Sequence, residues 1–227
     1  MNVDFENILK DIKSRYQWRR ISPILEEASY KTANDLFIKT ASLVGRQPYD
    51  STATSEIINR LVHWTYNTSI DGIDCNKGFL LRGNTGRGKT LLMLALQEFL
   101  KFEEHYYIVG KHQYRINLTI VSARDIAFQY NNMQGDADII GRYAKEPCLC
   151  IDDIGSEPQL SSNYGNKCSV VSEILERRDR DRLLTFATTN LPKLEERYDD
   201  RIMSRMHSLF NSYKLSHDTD FRQSQKQ

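Results

Sequence analysis

The sequence predicts an α/β fold built on a mainly parallel five-stranded sheet with helices on both faces. Three observations carry this expectation. Five short apolar runs, GFLLR (78–82), INLTIV (116–121), CLCID (148–152), LLTFATTN (183–190) and LFNSYKL (209–215), are separated by helical stretches. The segment GNTGRGKT (83–90) fits the pattern GxxxxGK[ST], directly after the first run and directly before a helical pattern. Two acids, Asp152 and Asp153, close the third run. Strands that alternate with helices are joined by right-handed crossovers, which lay the strands parallel and cover the sheet on both sides.

Residues 1–48 read as a charged helical segment, with Phe5, Ile8, Leu9 and Ile12 at helical spacing. Gly45 and Pro48 in GRQPYDSTATSE stop that element, and Ser51 to Ser55 offer N-caps for a helix through EIINRLVHWTY. A domain boundary is therefore expected at residue 48, with 49–227 as the main domain. Within it TLLMLALQEFLKF, ARDIAFQYNNM and SVVSEILERR read as helices, the last with Val170, Val171, Ile174 and Leu175 on one face.

Composition narrows the class. Hydrophobic residues make up 40% of the chain and charged residues 27%, enough apolar content for a packed core. A formal charge of +1 leaves any nucleic-acid contact to local basic patches. Cys75, Cys148, Cys150 and Cys168 form no CxxC pairs, so neither a zinc module nor a disulfide framework is read, and a reducing, cytoplasmic compartment is expected. The first twenty residues place acids before bases without a continuous apolar run, unlike a signal peptide. No run of about 18 apolar residues marks a membrane-spanning helix.

The glycine-rich segment has a chemical reading. Gly83, Gly86 and Gly88 let successive N–H groups turn inward around phosphate oxygens, and the following helix N-terminus adds partial positive charge. Asn84, Thr85 and Arg87 complete the loop, Lys89 is placed to bridge β and γ phosphates, and Thr90 offers its hydroxyl to Mg²⁺. Asp152 is the candidate metal-organising acid and Asp153 the candidate base that orients an attacking water. Such paired acids repel unless a cation lies between them. Asn190 ends the fourth run, at the crevice beyond the carboxyl ends of the strands, where it can hold that water opposite Asp153. In RYDDRIMSRM, Arg201 and Arg205 share a helical face beside Ile202 and Met206. A cation on such a docked helix, able to touch the γ-phosphate of a neighbouring subunit, is an arginine-finger candidate.

These residues resemble the AAA+ ATPases of the DnaC helicase-loader and IstB type, including the shorter phage and mobile-element forms. The resemblance runs from about residue 52 to 222 and rests on NKGFLLRGNTGRGKT, CLCIDDIGSEP followed by NYGN, ATTNL, RYDDRIMSRM and DTDFRQ. It implies a P-loop NTPase (AAA+) fold of three α/β/α layers, with a reduced or absent lid because only a dozen residues follow Leu215. It also implies ATP and Mg²⁺ as ligands. By position, Lys89 and Thr90 resemble the Walker A pair, Asp152 and Asp153 the Walker B pair, Asn190 sensor 1, Arg201 the finger and Arg222 the sensor 2 arginine.

The family further implies an ATP-dependent homo-oligomer that holds single-stranded DNA, with residues 1–48 as the candidate grip on a replicative DNA helicase or, in the IstB-like alternative, on a transposase. Within that segment SRYQWRR interleaves Tyr16 and Trp18 with Arg15, Arg19 and Arg20, a set suited to base stacking and phosphate contact or to packing on a protein. Arg142 and Lys145, in the segment 125–146 where loaders place helices facing DNA, are further candidates for DNA contact. A small-molecule P-loop kinase and a nucleotide switch that hardly hydrolyses ATP are the remaining alternatives. The acid pair and the late arginine helix weigh against the kinase.

Overall fold

In the computed structural model, residues 6, 7, 9, 18–109, 111–132, 138–163 and 166–215 are described. In chain order they form β1 (Trp18–Ile21), α1 (Tyr30–Gly45), α2 (Ser55–Thr65), β2 (Gly78–Arg82), α3 (Lys89–Phe99), β3 (Tyr106–Val109), β4 (His112–Arg115), β5 (Thr119–Ser122) and α4 (Ala123–Asn131). There follow α5 (Ile139–Lys145), β6 (Cys148–Asp152), β7 (Ser161–Asn163), β8 (Asn166–Cys168), α6 (Val170–Arg180), β9 (Leu184–Thr189), α7 (Asp200–Leu209) and β10 (Phe210–Lys214).

The five apolar runs of the sequence become the five strands of one sheet, in the order β10-β2-β9-β6-β5. Every pairing is parallel. Strand side chains alternate between faces, so each run feeds two cores. Phe79 and Leu81 of β2 and Phe186 of β9 join Phe37 of α1, Ile57, Leu61 and Trp64 of α2, and Leu92, Leu96 and Phe99 of α3. On the opposite face Leu80, Leu149, Ile151 and Ala187 pack with Ile126 of α4, Val171, Ile174 and Leu175 of α6, and Ile202 and Met206 of α7. The result is the expected three-layer α/β/α arrangement. Cys148 and Cys150 are small buried residues of β6, and burial pushes the Cys148 thiol up to about 12, so it stays protonated and unreactive.

Before residue 49 the helical reading holds for Tyr30–Gly45 but not at residues 18–21. Residues 18–21 form a strand, paired antiparallel with β3, which in turn pairs antiparallel with β4. Arg20 explains why the chain is extended there. Its guanidinium is buried, stands 3.8 Å over the Trp64 ring, and donates to the carbonyls of Trp64 at 2.6 Å and Thr65 at 3.1 Å. Both carbonyls lie at the end of α2, where the helix runs out of donors, and that of Trp64 also accepts from the Asn67 N–H at 3.0 Å. Arg20 is therefore withdrawn from the phosphate-contacting set proposed for SRYQWRR, a correction to the sequence reading. Arg15 and Tyr16 lie outside the described residues, as does most of the helix read around Phe5, Ile8 and Ile12.

Among the described residues, side chains from before and after residue 48 share one core cluster. Phe37 and Ala41 of α1 are fully buried in the same cluster as Ile57 and Leu61. A Cβ on Gly45 would stand 3.3 Å from Leu91 Cδ2, so the end of α1 packs closely against the first turn of α3. Phe37→Ala should accordingly cost about 3–5 kcal/mol of global stability. Urea unfolding followed by circular dichroism and by tryptophan fluorescence should show one coincident transition, shifted for the whole chain; a separate early transition would mean that α1 folds apart from the sheet.

Candidate functional site

The strand order places the chemistry. Because β9 lies between β2 and β6, the carboxyl ends of all three strands stand side by side, and the segments leaving them share one crevice. From β2 comes the loop 83–88. Gly83 adopts φ +149° at a point where a Cβ would approach the Leu215 carbonyl oxygen to 3.0 Å, and its N–H donates to the Thr189 carbonyl at 3.3 Å. Gly88, at φ +78°, is the N-cap of α3 and supplies no capping side chain. The position where an anion would accept the first-turn N–H groups of α3 is thus not taken by a cap. This fits a phosphate.

Lys89 follows in the first turn of α3 and is buried. Its Nζ donates to the carbonyls of Gly83 at 2.7 Å and Asn84 at 2.8 Å, and to Asn190 Oδ1 at 2.6 Å. The Asn190 amide in turn donates to Asp153 Oδ1. Lys89, Asn190 and Asp153, separated by up to 101 positions in sequence, are one hydrogen-bonded chain.

Beside it, the Thr90 hydroxyl donates to both oxygens of Asp152, at 2.9 and 3.0 Å. A hydroxyl and a carboxylate meeting in this way are a hard-oxygen donor set of the kind that holds Mg²⁺ through one or two protein ligands and water. Asp153 sits at φ +60° in the turn after β6. That turn is tied to β9 by three bonds: the Asp153 N–H to Thr188 Oγ1 at 2.8 Å, the Ile154 N–H to the Thr188 carbonyl at 2.8 Å, and the Thr189 hydroxyl to the Ile154 carbonyl at 2.8 Å.

A cleft of about 380 Å³ collects these groups. Thr85, Gly86, Arg87, Gly88, Lys89 and Thr90 line it together with Asp152, Asp153 and Asn190. Five lining residues, Thr188, Gly45, Gln47, Leu91 and Leu94, stand outside the site read from the sequence. Thr188 donates its hydroxyl to Asp152 Oδ1 at 2.6 Å while accepting from Asp153, and so fixes both acids. It is one of three threonines in the run LLTFATTN, and nothing in the sequence sets it apart from Thr185 and Thr189. Gly45 and Gln47, at the end of α1, supply a further wall.

Arg201 is placed elsewhere. It lies on α7 with its side chain 66% exposed, ion-paired with Glu176 of α6, and it does not line the cleft of its own chain. Arg205, one turn on, bonds Asp179 at 2.8 Å and Glu176 at 3.3 Å. Arg142 and Lys145 are exposed on α5. Arg222 lies outside the described residues.

Thr188→Val would keep the shape of β9 but strip Asp152 of a donor and leave the Asp153 N–H unpaired. A loss of about 1–3 kcal/mol is expected, read from the urea midpoint; an unchanged midpoint would show that the two acids do not depend on this hydroxyl.

No family model and no curated protein matches the sequence. Solved structures do. DnaI superposes with a TM-score of 0.51 at 22% identity, over 74% of this chain and 84% of that one. The DnaC helicase loader gives a TM-score of 0.56 at 18% identity, over 76% of this chain and 96% of that one. AMPPCP-bound DnaA from Aquifex aeolicus gives 0.50 at 16% identity, over 77% of this chain and 50% of that one. At such identities the likeness speaks for architecture alone, and it agrees with the strand order and the glycine-rich loop: this chain shares a three-layer α/β/α P-loop fold with DnaI and the DnaC helicase loader.

Proposed function

We propose that this chain is a Mg²⁺-dependent ATPase of the DnaC helicase-loader type, acting in DNA replication in the cytoplasm and coupling its nucleotide state to self-assembly and single-stranded DNA binding. The observation that carries the ATPase reading is the meeting of Thr90 with Asp152, and of Lys89 with Asn190 and Asp153, in one cleft at the end of the glycine-rich loop. The replication role rests on the fold shared with DnaC and DnaI. Among the described residues no helix is long and apolar enough to cross a membrane.

In this reading, loop 83–88 and the first turn of α3 receive the phosphates through main-chain N–H groups. Lys89 exchanges its carbonyl partners for β and γ oxygens. Thr90 and Asp152 would hold the Mg²⁺, which would offset the charge of the triphosphate. Asp153 orients the attacking water and accepts its proton, and Asn190 fixes the Asp153 carboxylate from the opposite side. Arg201, turned outward on α7, is offered to the cleft of a neighbouring subunit rather than to its own, and so turnover requires assembly. Arg142 and Lys145 are the exposed cations proposed for the DNA backbone. The helicase grip is assigned to the segment before residue 18, since α1 is committed to the core.

Lys89→Ala should abolish most binding of a fluorescent ATP analogue, whereas affinity equal to the parent would refute the cradle. Arg201→Ala should leave that affinity within about twofold while turnover falls by about 10³. The decisive assay is ATPase rate per subunit across a range of protein concentration, with and without single-stranded DNA. The rate should rise with concentration and respond to DNA; a constant rate per subunit under all conditions would remove both the finger and the loader reading.

A further inference from the structure

Glu157 has no part in the chemistry above, yet it is the most enclosed carboxylate near the cleft. Its side chain is 2% exposed. An ionised carboxylate so deeply buried is costly unless its oxygens are saturated by donors. Three donors converge on it: the Gly155 N–H at 2.7 Å, the Tyr198 hydroxyl at 2.7 Å and Arg197 Nη2 at 3.2 Å. Arg197 Nη2 also reaches the Glu157 carbonyl at 2.8 Å.

What these bonds join matters more than their number. Gly155 belongs to the turn that begins at Asp153, and that turn is already tied to β9 through Thr188 and Thr189. Arg197 and Tyr198 are the last residues before Asp199, the N-cap of α7, whose carboxylate accepts from the Ile202 N–H at 2.9 Å. Arg201 stands on the first turn of that helix. The fixed side of the link is thus the Asp153 turn, and the side it holds in place is the root of the helix that carries Arg201.

We propose that Glu157 is a positioning residue for Arg201. Resting on the reading of Arg201 as a finger supplied to a neighbouring subunit, the inference adds that the buried Glu157 carboxylate docks the start of α7 on the Asp153 turn, so that the angle at which one subunit presents Arg201 is referenced to its own acid pair. Loss of the carboxylate or of the Tyr198 hydroxyl frees the root of α7 while the Asp153 turn keeps its bonds to β9. The defect then appears in the next subunit's cleft and not in the altered subunit's own.

The test uses Glu157→Gln and Tyr198→Phe in the full chain; the second removes one hydroxyl and decides alone if the first folds poorly. Both variants should bind the ATP analogue within about twofold of the parent, yet turn over at least about tenfold more slowly at saturating ATP. Adding an excess of Asp153→Asn subunits, which bind nucleotide and carry an intact Arg201 but do not hydrolyse, should restore turnover at the variants' own clefts. Arg201→Ala mixed with the same subunits is the reference and should be restored likewise. Parent-like turnover by Tyr198→Phe and by folded Glu157→Gln would overturn the proposal. So would slowed variants that stay slow in a mixture that does restore Arg201→Ala, because the damage would then lie in their own clefts. If Arg201→Ala alone turned over at the parent rate, the finger reading itself would fall, an outcome separable from the other two.

Discussion

The structure depends on β9 lying between β2 and β6. A parallel sheet aligns strand ends on one side, and this order brings the glycine-rich loop, the acid pair and Asn190 within one hydrogen-bond network although they come from three separate parts of the chain. The inner position also demands burial on both faces, which is why LTFATT is buried at every residue and why its two polar side chains nearest the crevice, Thr188 and Thr189, spend their hydroxyls on the neighbouring strand end. Bringing like charges together at Asp152 and Asp153 is unfavourable in the absence of donors. Thr90, Thr188 and Asn190 supply those donors, so the acids are held before any cation arrives.

Most of the architecture was legible because it is written in local pattern. A central parallel strand is buried on both faces and so is mostly apolar, and five largely apolar runs stand out between helical stretches. The glycine-rich loop was equally visible, since fixed spacing and flanking strand and helix are all sequence properties. The sheet β1-β3-β4 was not. Its outer strand HQYR is exposed and polar, and β1 pairs across some ninety residues, so neither alternation nor a turn signal marks it.

The missed site residues share a cause. Thr188 acts across the strand register, and Glu157 acts through Tyr198, forty-one positions away. Nothing at either position departs from what a strand end or a loop would carry on other grounds. Arg20 failed in the opposite direction, because an arginine among aromatics reads as a surface contact, whereas here the guanidinium is buried and donates to carbonyls at the end of α2. Burial lowers its pKa to about 10, which still leaves it charged at neutral pH.

The position of α1 bears on how this chain can be divided. Its middle supplies Phe37 and Ala41 to the core, and its far end supplies Gly45 and Gln47 to the wall of the cleft. Residues 30–45 are thus not a detachable cassette: a graft or truncation made at the inviting break near Pro48 would strip one helix from a three-helix layer and part of the crevice wall in a single cut, whereas a junction placed ahead of β1 would spare both.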